Sequence, residues 1–112
     1  MASDCVFCKI VAGDIPSSTV YQDEHVVAFT DLAPKAPTHV LVIPRRHLAD
    51  IGELAGDREA SAAVLAGVAA VVETLGLDSY RTVFNTGAEA GQTVFHVHAH
   101  LLAGRTLSWP PG

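Results

Sequence analysis

The chain has 112 residues and a formal net charge of −5, and 49% of its residues are hydrophobic against 17% charged. This length suits a single domain over residues 1–112, and the composition is typical of a folded globular protein. The acidic excess excludes a protein that coats nucleic acid, and no apolar run is long enough to predict a membrane helix. The segment Met1–Asp4 lacks the pattern of a secretory signal, which favours a cytoplasmic protein.

The first half of the chain predicts a short helix followed by three strands. Residues 4–12 suit the helix. Residues 19–21 and 26–29 are rich in β-prone side chains and flank a polar turn, so they predict a hairpin. A loop with two prolines over residues 31–37 then leads to a third strand at residues 38–43.

The second half predicts one long helix and two further strands. Apolar residues recur at helical spacing between Asp57, which suits the N-cap, and Gly76, which ends the helix. Residues 80–84 predict the fourth strand and residues 93–102 the fifth, with a loop over residues 85–92 between them. Strands joined by short turns around one long helix predict an α+β fold with a five-stranded antiparallel sheet.

Three histidines alternate in the predicted fifth strand, at His96, His98 and His100. Alternation places them on one face of a strand, about 6.7 Å apart, with Val97, Ala99 and Leu101 turned into the core. Imidazoles are poor core material, because each ring has two nitrogens that need partners. The pattern leaves open a catalytic metal site, nucleophilic catalysis by one imidazole, and a run of histidines without a role.

The loop before these histidines suits phosphate binding. Gly87 and Gly91 would let the main chain approach an anion, and Gln92 and Thr93 carry side-chain donors. A glycine-rich loop directly upstream of three aligned histidines therefore favours chemistry at a phosphate.

The two cysteines, Cys5 and Cys8, form a CxxC motif. Such a motif in a cytosolic chain is a redox pair or half of a metal site. No predicted strand precedes it, which disfavours a redox pair of the thioredoxin kind. A zinc site would need two further ligands, and these would have to be histidines because the chain has no other cysteine.

Residues 96–102 resemble the motif of the histidine triad family of nucleotide hydrolases and transferases, in which three histidines alternate with apolar residues. The resemblance covers nearly the whole chain and includes the segments 36–39, 41–44 and 91–92. The ending Trp109–Gly112 is similar to that of the Hint branch, the purine nucleoside phosphoramidases, rather than to the dinucleoside polyphosphate hydrolases.

The resemblance implies an activity and its catalytic residues. The activity is cleavage of the P–N bond of adenosine and other purine nucleoside 5′-phosphoramidates through a nucleotidyl-histidine intermediate, with release of AMP. It implies that His98 is the nucleophile, that His100 contacts the phosphate and that His39 supports the site. No metal is required for this chemistry.

The resemblance also implies a nucleotide-binding site and an assembly. The implied contacts are Asp31 with the ribose, Phe29 and Leu32 with the base, and Asn85, Gly91 and Thr93 with the phosphate. Gln92 is a fourth predicted phosphate contact, because its side chain carries hydrogen-bond donors. The family often has Ser at the position of Thr93. The implied assembly is a homodimer in which the two sheets join and the C-terminal tail lies near the partner's active site.

Zinc-binding members of the family combine a CxxC motif with two histidines. The matching residues are Cys5, Cys8, His47 and His96. Two thiolates and two imidazoles would make a closed, structural zinc site with no position for water. Free buried thiols are the alternative.

Three other functions remain open from the sequence. One is hydrolysis of dinucleoside polyphosphates. Another is a nucleotide-binding or protein-interaction module with little catalysis. The last is metal-dependent hydrolysis at the three histidines of the triad.

Overall fold

The computed structural model describes residues 4–112, so residues 1–3, on which the prediction about a secretory signal partly depends, lie outside the described part. The strands are β1 (Thr19–Gln22), β2 (Val26–Thr30), β3 (Thr38–Pro44), β4 (Tyr80–Val83) and β5 (Ala99–Ala103). The helices are α1 (Val6–Ala12), α2 (Ile51–Ala55) and α3 (Arg58–Leu75), with a single 3₁₀ turn at Ala88–Ala90. The strands form one antiparallel sheet in the order β1-β2-β3-β5-β4, which confirms the predicted α+β fold.

The ends of α3 lie where the capping residues predicted them. The Asp57 side chain accepts the Ala60 main-chain N–H at 2.9 Å, and Gly76 ends the helix with a left-handed φ of 65°. Helix α2 was not predicted, because five residues are too few to show a helical period. Its local signals are the Asp50 cap, which accepts the Glu53 N–H at 3.0 Å, and Glu53 in the first turn, which accepts the Ala49 N–H at 2.8 Å.

The sheet divides the core into two clusters, because side chains alternate along each strand. The cluster facing α3 is the larger and includes Val26, Val42, Val64, Val68 and Leu101. The cluster on the opposite face contains Phe7 of α1 packed with Val27, Phe29, Leu41 and Ile43. The same alternation places His39 and His100 on the α1 face of the sheet, where Leu41 is the cross-strand partner of His100.

The prediction of a fifth strand over residues 93–102 was wrong for its first half. Pairing with β3 ends at Val42↔Ala99, and the Val97 N–H donates instead to the Leu48 carbonyl at 2.7 Å. Pro44 has no N–H with which to extend the ladder. His96 and His98 therefore precede the strand, and only His100 of the three lies within it.

No helix in the part of the chain that the structure describes is both long enough and apolar enough to span a membrane.

Candidate functional site

An open cleft of about 330 Å³ lies on the α1 face of the sheet. Apolar residues of α1 and β2 line it together with His98 and His100. The lining includes the predicted residues Phe29, Asp31, Leu32, Thr93, His98 and His100. The volume is at the lower end of the range for small-molecule sites.

His98 is buried, and its ring is fixed by a main-chain acceptor. Its Nδ1 lies 2.9 Å from the His96 carbonyl oxygen. Because a carbonyl only accepts, Nδ1 carries the hydrogen and Nε2 of the neutral ring keeps a free lone pair. His98 lines the cleft, so an unprotonated nitrogen is available to a ligand there.

His39 and His100 form a hydrogen-bonded pair beside Asp31. The Lys35 N–H donates to His39 Nδ1 at 3.0 Å, so His39 carries its hydrogen on Nε2. That N–H lies 2.9 Å from His100 Nδ1 and 3.4 Å from Asp31 Oδ2. His100 therefore accepts at Nδ1, which leaves its own Nε2–H for the cleft.

Burial keeps these two rings neutral. It lowers the pKa of His100 to about 4, with further lowering by His98 and His39. The pKa of His39 is also lowered, mainly by burial, although the Asp31 carboxylate opposes the effect. Near neutral pH His100 is thus a hydrogen-bond donor without a charge.

The group Asp31, His39 and His100 also has the residue types and spacing of a metal site. Its hydrogen bonding does not suit one. A cation at His39 Nε2 would have to displace the hydrogen that is held there by the bond from Lys35 to Nδ1. We therefore interpret this group as a hydrogen-bonded pair next to a carboxylate.

The loop before the triad is held together by Gln92. Its side-chain amide donates to the main-chain oxygens of Ala49, at 2.8 Å, and Val94, at 3.1 Å, and its oxygen accepts the Gly87 N–H at 3.0 Å. This differs from the prediction that Gln92 donates to a phosphate, because both of its N–H groups are already used. It supports the loop that such a ligand would contact.

Asn85 and Gly91 lie together in this loop but do not line the cleft. Gly91 has a φ of 100°, and a Cβ there would lie 3.4 Å from Asn85 Nδ2. The positive φ therefore favours glycine here, and Asn85 packs against it. Of the residues predicted to contact the phosphate, Thr93 lines the cleft directly.

The cysteine motif and two histidines meet at the N-terminal end of α1. Cys5, Cys8, His47 and His96 each offer one ligand atom, and these atoms all lie within 4.8 Å of one another. The Cys8 Sγ is 3.2 Å from His47 Nδ1 and 3.6 Å from His96 Nδ1, and the Cys5 Sγ is 3.5 Å from the latter. Burial raises the pKa of the Cys8 thiol, with the Cys5 sulfur contributing.

These four residues fit a tetrahedral metal ion. Bonds of about 2.0 to 2.3 Å place neighbouring ligand atoms about 3.5 Å apart, close to the observed S···N distances. His96 Nε2 donates to the Pro44 carbonyl at 2.8 Å, so its Nδ1 lone pair faces the sulfurs. A ligating histidine held by a carbonyl at its other nitrogen is the usual arrangement in metal sites. The cluster can therefore hold a metal ion.

The side chains of the triad histidines lie on the α1 face, as expected, because Phe7 of α1 packs on the rings of both His96 and His98. The His96 ring lies against His47, with centroids 5.0 Å apart, while the His98 and His100 rings are 4.9 Å apart at the cleft. Because β5 begins at Ala99, His96 precedes the strand, and its ring contacts His47 and the two sulfurs. Val97, Ala99 and Leu101 are buried in the larger core, as predicted.

Sequence reasoning missed the wall that α1 contributes to the cleft. Val6, Phe7 and Ile10 all line it. These residues lie at positions i, i+1 and i+4, which is the spacing of one side of a helix. The sequence therefore contained a signal for this wall, but the segment was interpreted only through its two cysteines.

Comparison with known proteins shows the family of this chain. The model of the HIT domain matches residues 12–107. The chain belongs to the HIT domain family. It is 46% identical to an uncharacterized HIT-like protein of Synechococcus elongatus, over all of both chains. It is 41% identical to the purine nucleoside phosphoramidase of Escherichia coli, over 96% of this chain and 92% of that protein.

Solved structures agree with this assignment. A crystal structure of a HIT family hydrolase from Legionella pneumophila superposes with a TM-score of 0.92 at 44% identity, covering 97% of this chain and 100% of the other. The predicted family and fold are therefore confirmed.

Proposed function

We propose that this protein cleaves the P–N bond of purine nucleoside 5′-phosphoramidates, with His98 as nucleophile. The observation that carries the proposal is the 2.9 Å bond from His98 Nδ1 to the His96 carbonyl, which leaves Nε2 unprotonated beside the cleft. The name of the Escherichia coli relative, a purine nucleoside phosphoramidase, supports the same substrate class.

The chemistry follows from the ring nitrogens. The substrate nitrogen first takes a proton from solvent. The lone pair of His98 Nε2 then attacks the α-phosphorus, and the P–N bond breaks with its electron pair on nitrogen, so that a neutral amine leaves. The imidazolium formed at His98 keeps its Nδ1–H on the His96 carbonyl. Water then gives its hydroxyl to phosphorus and its proton to solvent, which releases AMP and regenerates the neutral ring.

The neighbouring groups bind and orient the substrate in this scheme. The neutral His100 donates Nε2–H to a phosphoryl oxygen, and His39 fixes the orientation of that ring. Asp31 accepts from the ribose hydroxyls, Phe29 and Leu32 contact the base, and Thr93 donates to the phosphate. Asn85, Gly91 and Gln92 shape the loop behind the phosphate.

We also propose that Cys5, Cys8, His47 and His96 bind zinc, which suits two thiolates and two imidazoles. Such an ion, closed to water, has a structural role and supplies no group to the hydrolysis. Reduced neighbouring thiols of this kind favour a cytoplasmic location. The functional unit proposed is a homodimer joined through the sheet, with no nucleic acid or membrane as partner.

The test is release of amine from adenosine 5′-phosphoramidate. We expect the native protein to turn over, His98→Ala to lose at least about a thousandfold in rate, and brief EDTA treatment to leave the rate unchanged. His25→Ala, a half-exposed histidine in the β1–β2 turn, is the matched control and should keep native turnover.

Two results would redirect the proposal. Faster hydrolysis of dinucleoside polyphosphates than of phosphoramidates would move the protein to that substrate class. AMP binding without turnover of either substrate would instead indicate a nucleotide-binding module.

A further inference from the structure

The His98 ring has three contacts that restrict its rotation. Its Nδ1 bonds to the His96 carbonyl at 2.9 Å. The Phe7 ring meets it edge-to-face, with centroids 5.1 Å apart and planes at 89°. The His100 ring packs on it at a centroid distance of 4.9 Å.

These contacts matter because the sheet does not hold His98. Its main chain precedes β5 and lies outside the ladder with β3. A strand residue would have its side-chain direction set by pairing on both sides. Here the direction of the reactive nitrogen depends on the groups packed around the ring.

Two of the three contacts lead to the Cys/His cluster. His96 offers its carbonyl to His98 and its side-chain Nδ1 to the sulfurs of Cys5 and Cys8. Phe7 lies between the two cysteines in sequence and also packs edge-to-face on His96, at 5.9 Å. One small unit therefore links the metal-binding atoms with the ring at the cleft.

We propose that Phe7 is a positioning residue for His98, and that a metal ion in the Cys/His cluster fixes Phe7 and the His96 carbonyl in place. The proposal rests on the nucleophilic role of His98 proposed above. It gives the metal an effect on the chemical step without contact with substrate. Small displacements of a nucleophile reduce rates steeply, which is why such an arrangement is effective.

The first test separates positioning from simple cleft lining. In Phe7→Leu we expect single-turnover nucleotidylation of His98 to slow by about tenfold, with a smaller change in KM. Ile10→Ala is the matched control, because Ile10 also lines the cleft from α1, whereas the rings packed on His98 are those of Phe7 and His100. It should mainly raise KM. Phe7→Leu behaving like Ile10→Ala, with KM alone changed, would overturn the proposal.

The second test needs no substrate. Nitrogen-15 NMR of the zinc-loaded protein should show His98 protonated on Nδ1, and a mixture of tautomers in Phe7→Leu and in metal-stripped protein. Amide spectra check that each sample is folded. An unchanged tautomer in both samples would contradict the proposal. A tautomer change in a protein that cleaves no phosphoramidate would uphold the positioning role and reject the proposed activity.

Discussion

The Cys/His cluster and the cleft both contain histidines of the triad. The two regions differ in which nitrogen of the histidine ring is left without a hydrogen. At the Cys/His cluster, His96 gives its Nε2–H to the Pro44 carbonyl and turns Nδ1 to the sulfurs. At the cleft, His98 gives its Nδ1–H to the His96 carbonyl and keeps Nε2 free. The same residue type thus presents Nδ1 in one region and Nε2 in the other, according to its main-chain partner.

The largest expected effect comes from the cluster. The double variant Cys5→Ser/Cys8→Ser should bind no zinc and lose at least about 3 kcal/mol in free energy of unfolding, because metal binding and folding are coupled. Metal analysis and urea denaturation measure this. Val6→Ser, in the same turn of α1, is the control and should keep its zinc. A double variant as stable as the native protein would contradict the structural role of the metal.

A second variant removes the side-chain amide of Gln92 that holds the loop before the triad. In Gln92→Glu the two amide donors are lost and a carboxylate faces the oxygens of Ala49 and Val94. We expect unfolding free energy to fall by about 3 kcal/mol, as for an unsatisfied buried charge. Urea denaturation tests this, with Glu89→Gln in the exposed part of the same loop as the control. A change below about 0.5 kcal/mol would show that the amide is dispensable.

A third prediction concerns acid. The pKa of His100 is lowered to about 4 in the folded protein, so the unfolded chain, with an ordinary histidine pKa of about 6.5, takes up the proton first. Stability should therefore fall as pH drops from about 6.5 towards 4. For a half-buried, partly screened ring the loss is about 1 to 2 kcal/mol.

Urea unfolding between pH 7.5 and 4.5 measures this dependence. We expect His100→Gln to flatten it, and His25→Gln, which removes a half-exposed histidine, to leave it unchanged. Equal slopes in the native protein and His100→Gln would exclude His100 as the source.

The smallest expected effect is at the ribose. Asp31→Asn should weaken AMP binding about fivefold, or about 1 kcal/mol, by calorimetry. Binding of 2′,3′-dideoxy-AMP should be insensitive to the same substitution, because the hydroxyls are absent. Equal losses for both ligands would place Asp31 away from the ribose.

The sequence was sufficient for the sheet, for α3 with its two caps and, through the resemblance, for the residues of the Cys/His cluster. It was insufficient for the start of β5, which leaves His96 and His98 outside the strand. The alternating pattern was typical of a continuous strand, whereas the strand ends because Pro44 lacks an N–H and its carbonyl is used by His96. That contact spans 52 positions, so no local pattern could reveal it.

The same limit applies to Phe7 and Gln92. Their side chains look ordinary in sequence, an apolar residue in a helix and a donor in a loop. Their roles come from partners brought together only by the fold, the His98 ring in one case and the Ala49 carbonyl in the other.

The measurement that tests the difference between the two histidine groups most directly is nitrogen-15 NMR of all ring nitrogens in the native, zinc-loaded protein. We expect His98 to carry its hydrogen on Nδ1, and His39, His96 and His100 to carry theirs on Nε2, with zinc on Nδ1 of His96. A hydrogen on Nε2 of His98 would contradict its assignment as the nucleophile.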